Sequence, residues 1–237
     1  MTTTLEKPNP ELELAEAFVR ETACTIFLTG KAGTGKTTFL HNLKRQCAKR
    51  MVVTAPTGIA AINAGGVTLH SFFQLPFGPL VPGAERSGRQ FRFSRQKKDL
   101  IRSLDLLVID EVSMVRSDQL DGVDDILRRL RRSQRPFGGV QLLMIGDLHQ
   151  LSPVIRDDEW RLLQPHYDSP YFFSSSALAH TELVPIELNL IYRQSDEAFI
   201  ELLNRVRDGQ LDAETQARFN TRLRTDVDTG DYAGYIT

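Results

Sequence analysis

The sequence reads Gly30-Lys31-Ala32-Gly33-Thr34-Gly35-Lys36-Thr37 close to its amino terminus, which matches the pattern G-x-x-x-x-G-K-[ST]. The apolar run Ile26-Phe27-Leu28 precedes it and predicts a buried strand, and the residues from Lys36 to about Ala48 predict a helix. In a glycine-rich turn between a strand and a helix, successive backbone N–H groups can point at phosphate oxygens, and the helix N-terminus adds partial positive charge. The stretch therefore predicts a phosphate-binding loop.

The loop also supplies side chains suited to a nucleoside triphosphate. Lys36 is expected to reach the β and γ phosphates, and the Thr37 hydroxyl is expected to ligate Mg²⁺. The alternative, a glycine-rich turn with an exposed lysine, leaves the fitting strand and helix on either side unexplained. The predicted nucleotide-binding residues are Gly33, Thr34, Gly35, Lys36, Thr37 and Thr38.

Further apolar runs alternate with helical patterns along the chain. Strands are predicted at Met51-Val52-Val53, Leu106-Leu107-Val108-Ile109 and Leu142-Leu143-Met144-Ile145. Leu120, Val123, Leu127 and Leu130 recur at helical spacing between the last two, and Asn9 can cap a first helix that begins with Pro10. Strands that alternate with helices indicate βαβ units, so the predicted fold is α/β, a parallel sheet flanked by helices.

Acidic and amide side chains follow two of the predicted strands. Asp110 and Glu111 come directly after Leu106–Ile109; Asp110 is expected to hold Mg²⁺, and Glu111 to orient and deprotonate an attacking water. Gln150 follows the next strand and can hydrogen-bond both a γ-phosphate oxygen and that water, although a polar turn is the alternative for this residue. Together with the phosphate loop, the acid pair predicts an ATPase.

Composition restricts the class of protein. The chain has 237 residues, 29 Lys+Arg against 30 Asp+Glu, and 41% hydrophobic residues, which excludes a disordered chain. Near-neutral charge means that nucleic acid must be bound by local basic patches. Two cysteines, Cys24 and Cys47, are too few for a disulfide scaffold. Because no apolar run approaches the ~18–20 residues of a membrane span and no signal core is visible, we expect a cytoplasmic protein without a membrane segment.

Residues 76–102 differ from the rest of the chain. They begin Pro76-Phe77-Gly78-Pro79 and then become basic, with seven Lys/Arg and one Asp from Arg86 to Arg102. This pattern predicts an insertion between two core strands, and a solvated loop is the alternative. The arginine-rich stretch 128–135 is interpreted as the solvated end of a helix rather than as a binding patch, because Leu127 and Leu130 supply a buried face there.

An ordered series of motifs links these features. It comprises Phe27–Thr38, Thr54-Ala55-Pro56-Thr57-Gly58-Ile59-Ala60-Ala61, Gly66-Val67-Thr68-Leu69-His70-Ser71-Phe72-Phe73, Ile109-Asp110-Glu111-Val112-Ser113-Met114-Val115, Gly146–Val154 and Leu190-Ile191-Tyr192-Arg193-Gln194. In this order the series resembles the Pif-type (petite integration frequency) DNA helicases, in the 5′→3′ branch of helicase superfamily 1.

The resemblance implies a P-loop NTPase of RecA-like fold, and a domain layout with it. Residues 1–75 and 103–193 would form the first RecA-like motor domain, 76–102 a small basic insertion like the 1B wedge, and 194–237 the start of, or linker to, a largely absent second RecA-like domain. The expected ligands are ATP, Mg²⁺, single-stranded DNA and DNA forks. The protein would act as a monomer in DNA repair, DNA recombination and telomere maintenance.

The resemblance also implies roles for particular residues. Arg193 would be an arginine finger, although the residue alone is equally consistent with a salt bridge at the surface. Glu13 lies roughly where many members carry a glutamine that reads adenine. For Phe72 the alternative is packing in the core beneath the insertion. The residues expected to contact DNA are Pro56, Thr57, Gly58, His70, Ser71 and Phe72.

The function predicted from the sequence is therefore the motor lobe of an ATP-dependent 5′→3′ DNA helicase. The alternative is a nucleotide- and DNA-binding fragment with little hydrolysis, because the second lobe is missing. A different P-loop ATPase, such as a clamp-loader-like machine, predicts neither the Thr54–Thr57 segment nor the His70 segment.

Overall fold

The computed structural model describes residues 9–83, 93–192 and 197–221. The chain divides into two compact units, residues 1–193 and 194–237. The predicted arginine finger Arg193, residues 84–92 of the predicted insertion and the carboxyl-terminal residues 222–237 lie outside the described residues. The assignment of residues 194–237 to a second RecA-like domain stays a prediction.

The described part of the first unit contains a parallel sheet of six strands. The strands are β1 (Thr25–Gly30), β2 (Met51–Ala55), β3 (Val67–Thr68), β4 (Leu106–Ile109), β5 (Gln141–Ile145) and β6 (Leu183–Leu188). They lie in the order β3-β2-β4-β5-β1-β6. β1 pairs with β5 through Ile26 and Leu143 and with β6 through Ile26 and Val184. The predicted RecA-like parallel sheet is confirmed, and each predicted strand lies within an observed one.

Helices cover both faces of this sheet. They are α1 (Pro10–Glu21), α2 (Lys36–Gln46), α3 (Gly58–Asn63), α4 (Leu69–Phe73), α5 (Arg95–Ser103), α6 (Ser117–Arg131) and α7 (Asp157–Leu163). The Asn9 side chain caps α1 as predicted, because its Oδ1 accepts from Glu11 N at 3.1 Å and Leu12 N at 3.2 Å. The second unit contributes α8 (Glu197–Arg207) and α9 (Ala213–Asn220), and within it the rings of Phe199 and Phe219 meet edge to face.

Side chains alternate between two apolar layers along the buried strands. Ile26, Leu28 and Val108 pack on one face with residues of α1 and α2. Phe27 and Leu107 pack on the other face with residues of α4, α5 and α6. A parallel sheet needs this cover on both faces, which explains why its central strands are continuous apolar runs.

The two edge strands differ from the central ones. β3 has two residues, and β6 contains the exposed Pro185, which pairs with Phe27. Proline has no backbone N–H to donate to a ladder, so it is confined to positions such as an edge strand. Neither strand was predicted, because a two-residue strand has no period and a proline argues against a strand.

Part of the predicted insertion is integrated into the main core. The sequence pattern did not indicate a helix there, yet α5 begins at Arg95, and Phe93 and Ile101 are buried with the residues of α6. Among the described residues, no helix is both long enough and apolar enough to span a lipid bilayer.

Arg131, at the end of α6, holds several carbonyl groups together. Its Nε donates to Gly138 O at 3.0 Å, and its Nη1 donates to Arg102 O at 2.6 Å and Leu104 O at 2.9 Å. A third Nη1 contact reaches Ile101 O at 3.3 Å. The guanidinium therefore joins the carboxyl end of α5 to α6 and to the turn before β5. Arg129, Arg132 and Arg135 are exposed, as the solvated end of a helix predicts, so Arg131 is the exception in this stretch.

We expect Arg131→Met to destabilise the fold by about 1–3 kcal/mol, because several carbonyls lose a charged donor while the apolar stem is kept. Thermal and urea unfolding measure the loss. Arg161→Met, at an exposed position on α7, is the control and should change stability by less than about 0.5 kcal/mol. Equal effects of the two substitutions would contradict the role given to Arg131.

Candidate nucleotide-binding site

The loop between β1 and α2 wraps tightly because three glycines, Gly30, Gly33 and Gly35, adopt backbone conformations with positive φ. Gly30 has φ +148°, and a Cβ added there would lie 2.7 Å from Leu188 O on the neighbouring strand. Gly35 has φ +93° and directly precedes α2, where its carbonyl accepts from Phe39 N at 2.8 Å. A side chain at Gly30 would clash with backbone, so this loop requires glycine where it leaves the sheet.

The loop binds its own lysine. Lys36 Nζ donates to Gly30 O at 2.5 Å and to Lys31 O at 3.1 Å, and the Thr34 hydroxyl donates to Lys31 O at 2.8 Å. These bonds hold the ammonium group over the loop. There a phosphate oxygen would replace a loop carbonyl as the acceptor of its hydrogen bond. The positive charge is thus positioned before a nucleotide arrives, which lowers the entropic cost of binding.

A cleft of about 420 Å³ opens above the loop. It brings together all six predicted nucleotide-binding residues with the predicted catalytic residues Glu111 and Gln150, and adds Ala32 and Tyr192. The lining residues are Ala32, Gly33, Thr34, Gly35, Lys36, Thr37, Thr38, Glu111, Gln150 and Tyr192. The sequence separates these groups by more than a hundred residues, and parallel strands that end at one edge bring them together.

A strained turn orients the acid pair. Glu111 has φ +51° and ψ +43°, a left-handed conformation that is uncommon for a residue with a side chain. Its N–H donates to the Asp110 carboxylate at 3.1 Å. Because the chain turns at Glu111 rather than continuing as a strand, the two neighbouring carboxylates need not point to opposite faces.

Asp110 is poised to accept a cation. Burial and, after it, the neighbouring Glu111 charge raise the pKa of Asp110 to about 6, against the opposing effects of the hydrogen bond from Glu111 N–H and of the Lys36 ammonium. A carboxylate that is costly to ionise gains from a nearby positive charge, and Mg²⁺ prefers oxygen ligands such as this group and the Thr37 hydroxyl. The residues present therefore fit the predicted Mg²⁺ site, with the nucleotide phosphates and water as further ligands. Within the described ranges, no cluster of three His, Cys, Asp or Glu side chains forms a separate metal site.

Gln150 is held in a tight polar turn. Its side-chain amide donates to Asp147 at 3.2 Å, its backbone N–H donates to Asp147 O at 3.0 Å, and Asp147 also accepts from His149 N at 3.0 Å. The buried Asp147 thus fixes the turn. Gln150 still reaches the cleft, so the turn and the functional interpretation are compatible.

The sequence predicts no role for Tyr192, although this residue lies within the motif Leu190-Ile191-Tyr192-Arg193-Gln194. Its N–H donates to Gly33 O at 2.8 Å, and a Cβ placed on Gly35 would lie 3.6 Å from its ring and 3.8 Å from Leu12. The structure therefore brings Leu12 and Tyr192 to the loop, whereas Glu13 lies exposed on α1 and is absent from the cleft lining. An aromatic residue within a recognised motif was the available signal.

The residues predicted to contact DNA follow β2 and β3. The Thr57 hydroxyl caps α3 by accepting from Ala60 N at 3.2 Å, and Gly58 is exposed beside it, after Pro56. His70 is half-buried and Ser71 exposed on α4. The structure therefore brings these five residues to the same edge of the sheet as the cleft.

Phe72 is placed differently from the other predicted DNA contacts. It is 4% exposed in the core, and Lys97 Nζ of α5 lies 3.4 Å from its ring centroid. The structure thus shows the packing alternative, because the open ring face is occupied by a cation–π contact. The helical part of the basic insertion provides this cover.

The two acids at the ends of β4 provide a matched test of site electrostatics. Hydrogen bonds from the Arg50 side chain lower the pKa of Asp105 to about 2, whereas the pKa of Asp110 is raised to about 6. An unfolded aspartate has a pKa of about 3.9. The ionised Asp110 therefore costs stability as pH rises through 4 to 6, while the ionised Asp105 contributes stability that is lost as pH falls towards 2.

We expect Asp110→Asn to raise the Tm of the nucleotide-free chain at pH 8 by about 2–4 °C and by less at pH 5. Asp105→Asn should lower the Tm at both pH values, because Arg50 loses its charged partner. Thermal unfolding of both variants at both pH values measures the effect. A lower Tm of Asp110→Asn at pH 8 would contradict the proposed cost of this charge.

Comparison with known proteins agrees with this architecture. The sequence model of the PIF1-like helicase family matches residues 12–217. The ATP-dependent DNA helicase PIF1 of Saccharomyces cerevisiae (strain YJM789) is 37% identical over 210 residues, which cover 86% of this chain and 23% of the relative. The Bacteroides Pif1 helicase in complex with ADP-AlF3 and ssDNA is 42% identical with a TM-score of 0.86, over 92% of this chain and 50% of that one.

A further solved structure of a Pif1 helicase also matches. The structure that describes DNA unwinding at forked dsDNA by two coordinating Pif1 helicases is 44% identical with a TM-score of 0.84. It is matched over 88% of this chain and 50% of that chain, so this chain spans about half the length of the solved Pif1 chains. The family match, the sequence identity and the shared fold together show that the chain belongs to the PIF1-like helicase family.

Proposed function

We propose that the chain is the first motor lobe of an ATP-dependent 5′→3′ DNA helicase that couples ATP hydrolysis to movement along single-stranded DNA. The observation that carries the proposal is the cleft, in which Lys36, Glu111 and Gln150 converge on one phosphate-binding loop. The relatives add support, since one was solved with ADP-AlF3 and ssDNA and another structure describes DNA unwinding at forked dsDNA by two Pif1 helicases.

The first step is capture of the triphosphate by the loop. Backbone N–H groups of the turn and the N-terminus of α2 face the phosphates, and Lys36 Nζ exchanges its bonds to Gly30 and Lys31 carbonyls for bonds to the β and γ phosphates. Tyr192 borders the cleft beside Gly35 and limits the space on that side. Binding thus uses a cation that the loop already holds in place.

Hydrolysis requires an attacking water near the terminal phosphate. Glu111 accepts a proton from this water while the water oxygen bonds to the γ-phosphorus. The bond between the γ-phosphorus and the β–γ bridging oxygen breaks, and its electron pair leaves with ADP. Gln150 orients the water with its amide group. Bound Mg²⁺, held by Thr37 and Asp110, would neutralise charge on the phosphate oxygens.

Neighbouring strands connect the nucleotide cleft to the segments proposed to bind DNA. Thr54 on β2 accepts from Asp110 N at 2.8 Å and donates its hydroxyl proton to Val108 O at 2.9 Å. The chain then leaves β2 directly into Pro56, Thr57 and Gly58. A change at the acid pair therefore has a short, hydrogen-bonded route to a proposed DNA contact.

Arg193 is proposed to act as the arginine finger on the transferring phosphoryl group. The support is its position after Tyr192, whose backbone N–H is bonded to Gly33 O of the loop. A monomer is the proposed unit on each strand. Action on single strands and forks would place the protein in DNA repair, DNA recombination and telomere maintenance, and a cytoplasmic location is proposed with it.

A second candidate function follows from the length of the match. Because the chain spans about half of the solved Pif1 chains, it can be a nucleotide- and DNA-binding lobe that hydrolyses little ATP by itself. The cleft then binds nucleotide without the closure that a second lobe supplies.

We expect single-stranded DNA to stimulate ATP turnover by the motor at least about tenfold, because the proposed DNA contacts follow β2 and the acid pair follows the neighbouring β4. Phosphate release with and without an oligothymidylate measures this, on the chain and on a longer protein that includes it. If DNA stimulates the longer protein while the chain alone hydrolyses little ATP, the chain is a nucleotide- and DNA-binding lobe. A longer protein that ignores DNA would refute the motor proposal.

Two substitutions separate nucleotide binding from turnover. Lys36→Ala should weaken ATP binding by about 10- to 100-fold, because a charged donor to the phosphates is lost. Glu111→Gln should keep binding and slow turnover by about 10²- to 10⁴-fold, because an amide cannot take the proton from water. Glu182→Gln, exposed at the opposite end of the sheet, is the control. Nucleotide titration and phosphate release measure the two effects, and unimpaired turnover of Glu111→Gln would exclude it as the base.

A further inference from the structure

Phe77 presents an unusual exposed aromatic ring. Its side chain is 94% exposed, whereas the other residues of the segment Pro76-Phe77-Gly78-Pro79 are half-buried. The ring lies nearly parallel to that of His70, with centroids 5.7 Å apart and an interplanar angle of 12°. This geometry is an offset stack of two aromatic rings with solvent beside it.

The backbone around Phe77 is fixed on both sides. Arg116 Nη2 donates to Gly78 O at 2.8 Å, and Leu80 N donates to the Asp118 carboxylate at 2.8 Å. Arg116 and Asp118 form a buried ion pair with side chains 8% and 0% exposed. Leu75, on the other side, is buried in the core. Exposure of Phe77 is therefore a property of an anchored loop, and the two prolines restrict it further.

His70 is suited to stacking rather than to neutralising a phosphate. Its Nε2 lies 3.4 Å from the Gln119 side-chain amide, which can donate to a neutral imidazole. Burial lowers the pKa of His70, and the nearby Arg116 charge lowers it further against the opposing effect of Asp118. The ring is thus neutral at neutral pH, and the pair offers an uncharged aromatic surface.

The location of this pair connects it with the proposed DNA path. His70 lies on α4, which directly follows β3, and β3 pairs with β2, after which Pro56, Thr57 and Gly58 follow. We propose that Phe77, backed by His70, is a stacking platform for one nucleobase of the bound single strand. This inference rests on the DNA-binding function proposed above and adds a contact that the family motifs did not indicate.

A nucleobase fits this surface better than an apolar protein face does. Phe77 stands between a half-buried proline and a glycine, so a single ring is offered rather than a continuous apolar patch. Stacking of a base on an aromatic side chain needs a planar partner of about this size and no particular sequence. An aliphatic side chain at position 77 would keep an apolar contact to protein but lose most of the stacking.

The test combines substitutions at Phe77 with missing bases in the DNA. Affinity for a set of short oligothymidylates, each with one abasic nucleotide at a different position, is measured by fluorescence anisotropy at fixed salt. The proteins are the unsubstituted chain, Phe77→Leu, Phe77→Trp and, as control, Phe173→Leu. Phe173 is 49% exposed and stacks on Tyr171 with centroids 5.2 Å apart, which makes it a matched aromatic pair elsewhere on the lobe.

We expect Phe77→Leu to weaken binding of the intact oligonucleotide about tenfold, and Phe77→Trp and Phe173→Leu to change it less than about threefold. One abasic position should weaken binding by the unsubstituted chain about tenfold and have no effect on Phe77→Leu, because base and ring contribute one shared contact. The salt dependence should be unchanged, since Phe77 carries no charge. Thermal unfolding checks that each variant is folded.

Three outcomes would overturn the inference. If Phe77→Leu leaves the affinity unchanged, the platform is rejected while DNA binding stands. If Phe77→Leu weakens binding equally at every abasic position, the platform is also rejected, and the ring is assigned to protein packing. Failure of the unsubstituted chain to bind any oligonucleotide rejects the DNA-binding function itself and the platform with it.

Discussion

Parallel pairing of β1 with β5 on one side and β6 on the other determines where the chemistry of this lobe can take place. All carboxyl ends in such a sheet lie at one edge, so the phosphate loop after β1 and Gln150 after β5 become neighbours. The pairing is close enough that Gly30 cannot carry a side chain beside Leu188. A single register thus fixes both the core and the position of the cleft.

Charge burial at the cleft is the cost of that arrangement. Asp110 is held where its ionised form is disfavoured, and Lys36 lies across loop carbonyls. Each group gains a better partner when a triphosphate and a cation bind than it has in the free chain. The site is therefore organised for a charged ligand at some expense of the stability of the empty lobe.

The sequence predicted those parts of the structure in which short segments contain their own signal. Continuous apolar runs predicted β1, β2, β4 and β5, and the loop pattern predicted the phosphate site. Tyr192 reaches the loop because β6, which precedes it, pairs with β1. Phe72 is covered by α5, a helix within a basic stretch that shows no obvious apolar period. Such contacts depend on tertiary packing between distant segments, so local patterns could not indicate them.

The two edge strands of the sheet differ in structure, but each limits pairing with a further strand. On one side β3 offers two residues, and on the other β6 carries Pro185, which removes an amide from the border. Within the described part of the chain, both borders are therefore poorly suited to pairing with a strand of another chain. Strand pairing between two copies of this chain into a larger sheet is disfavoured. Other polypeptides are expected to contact this lobe through its loops and helices.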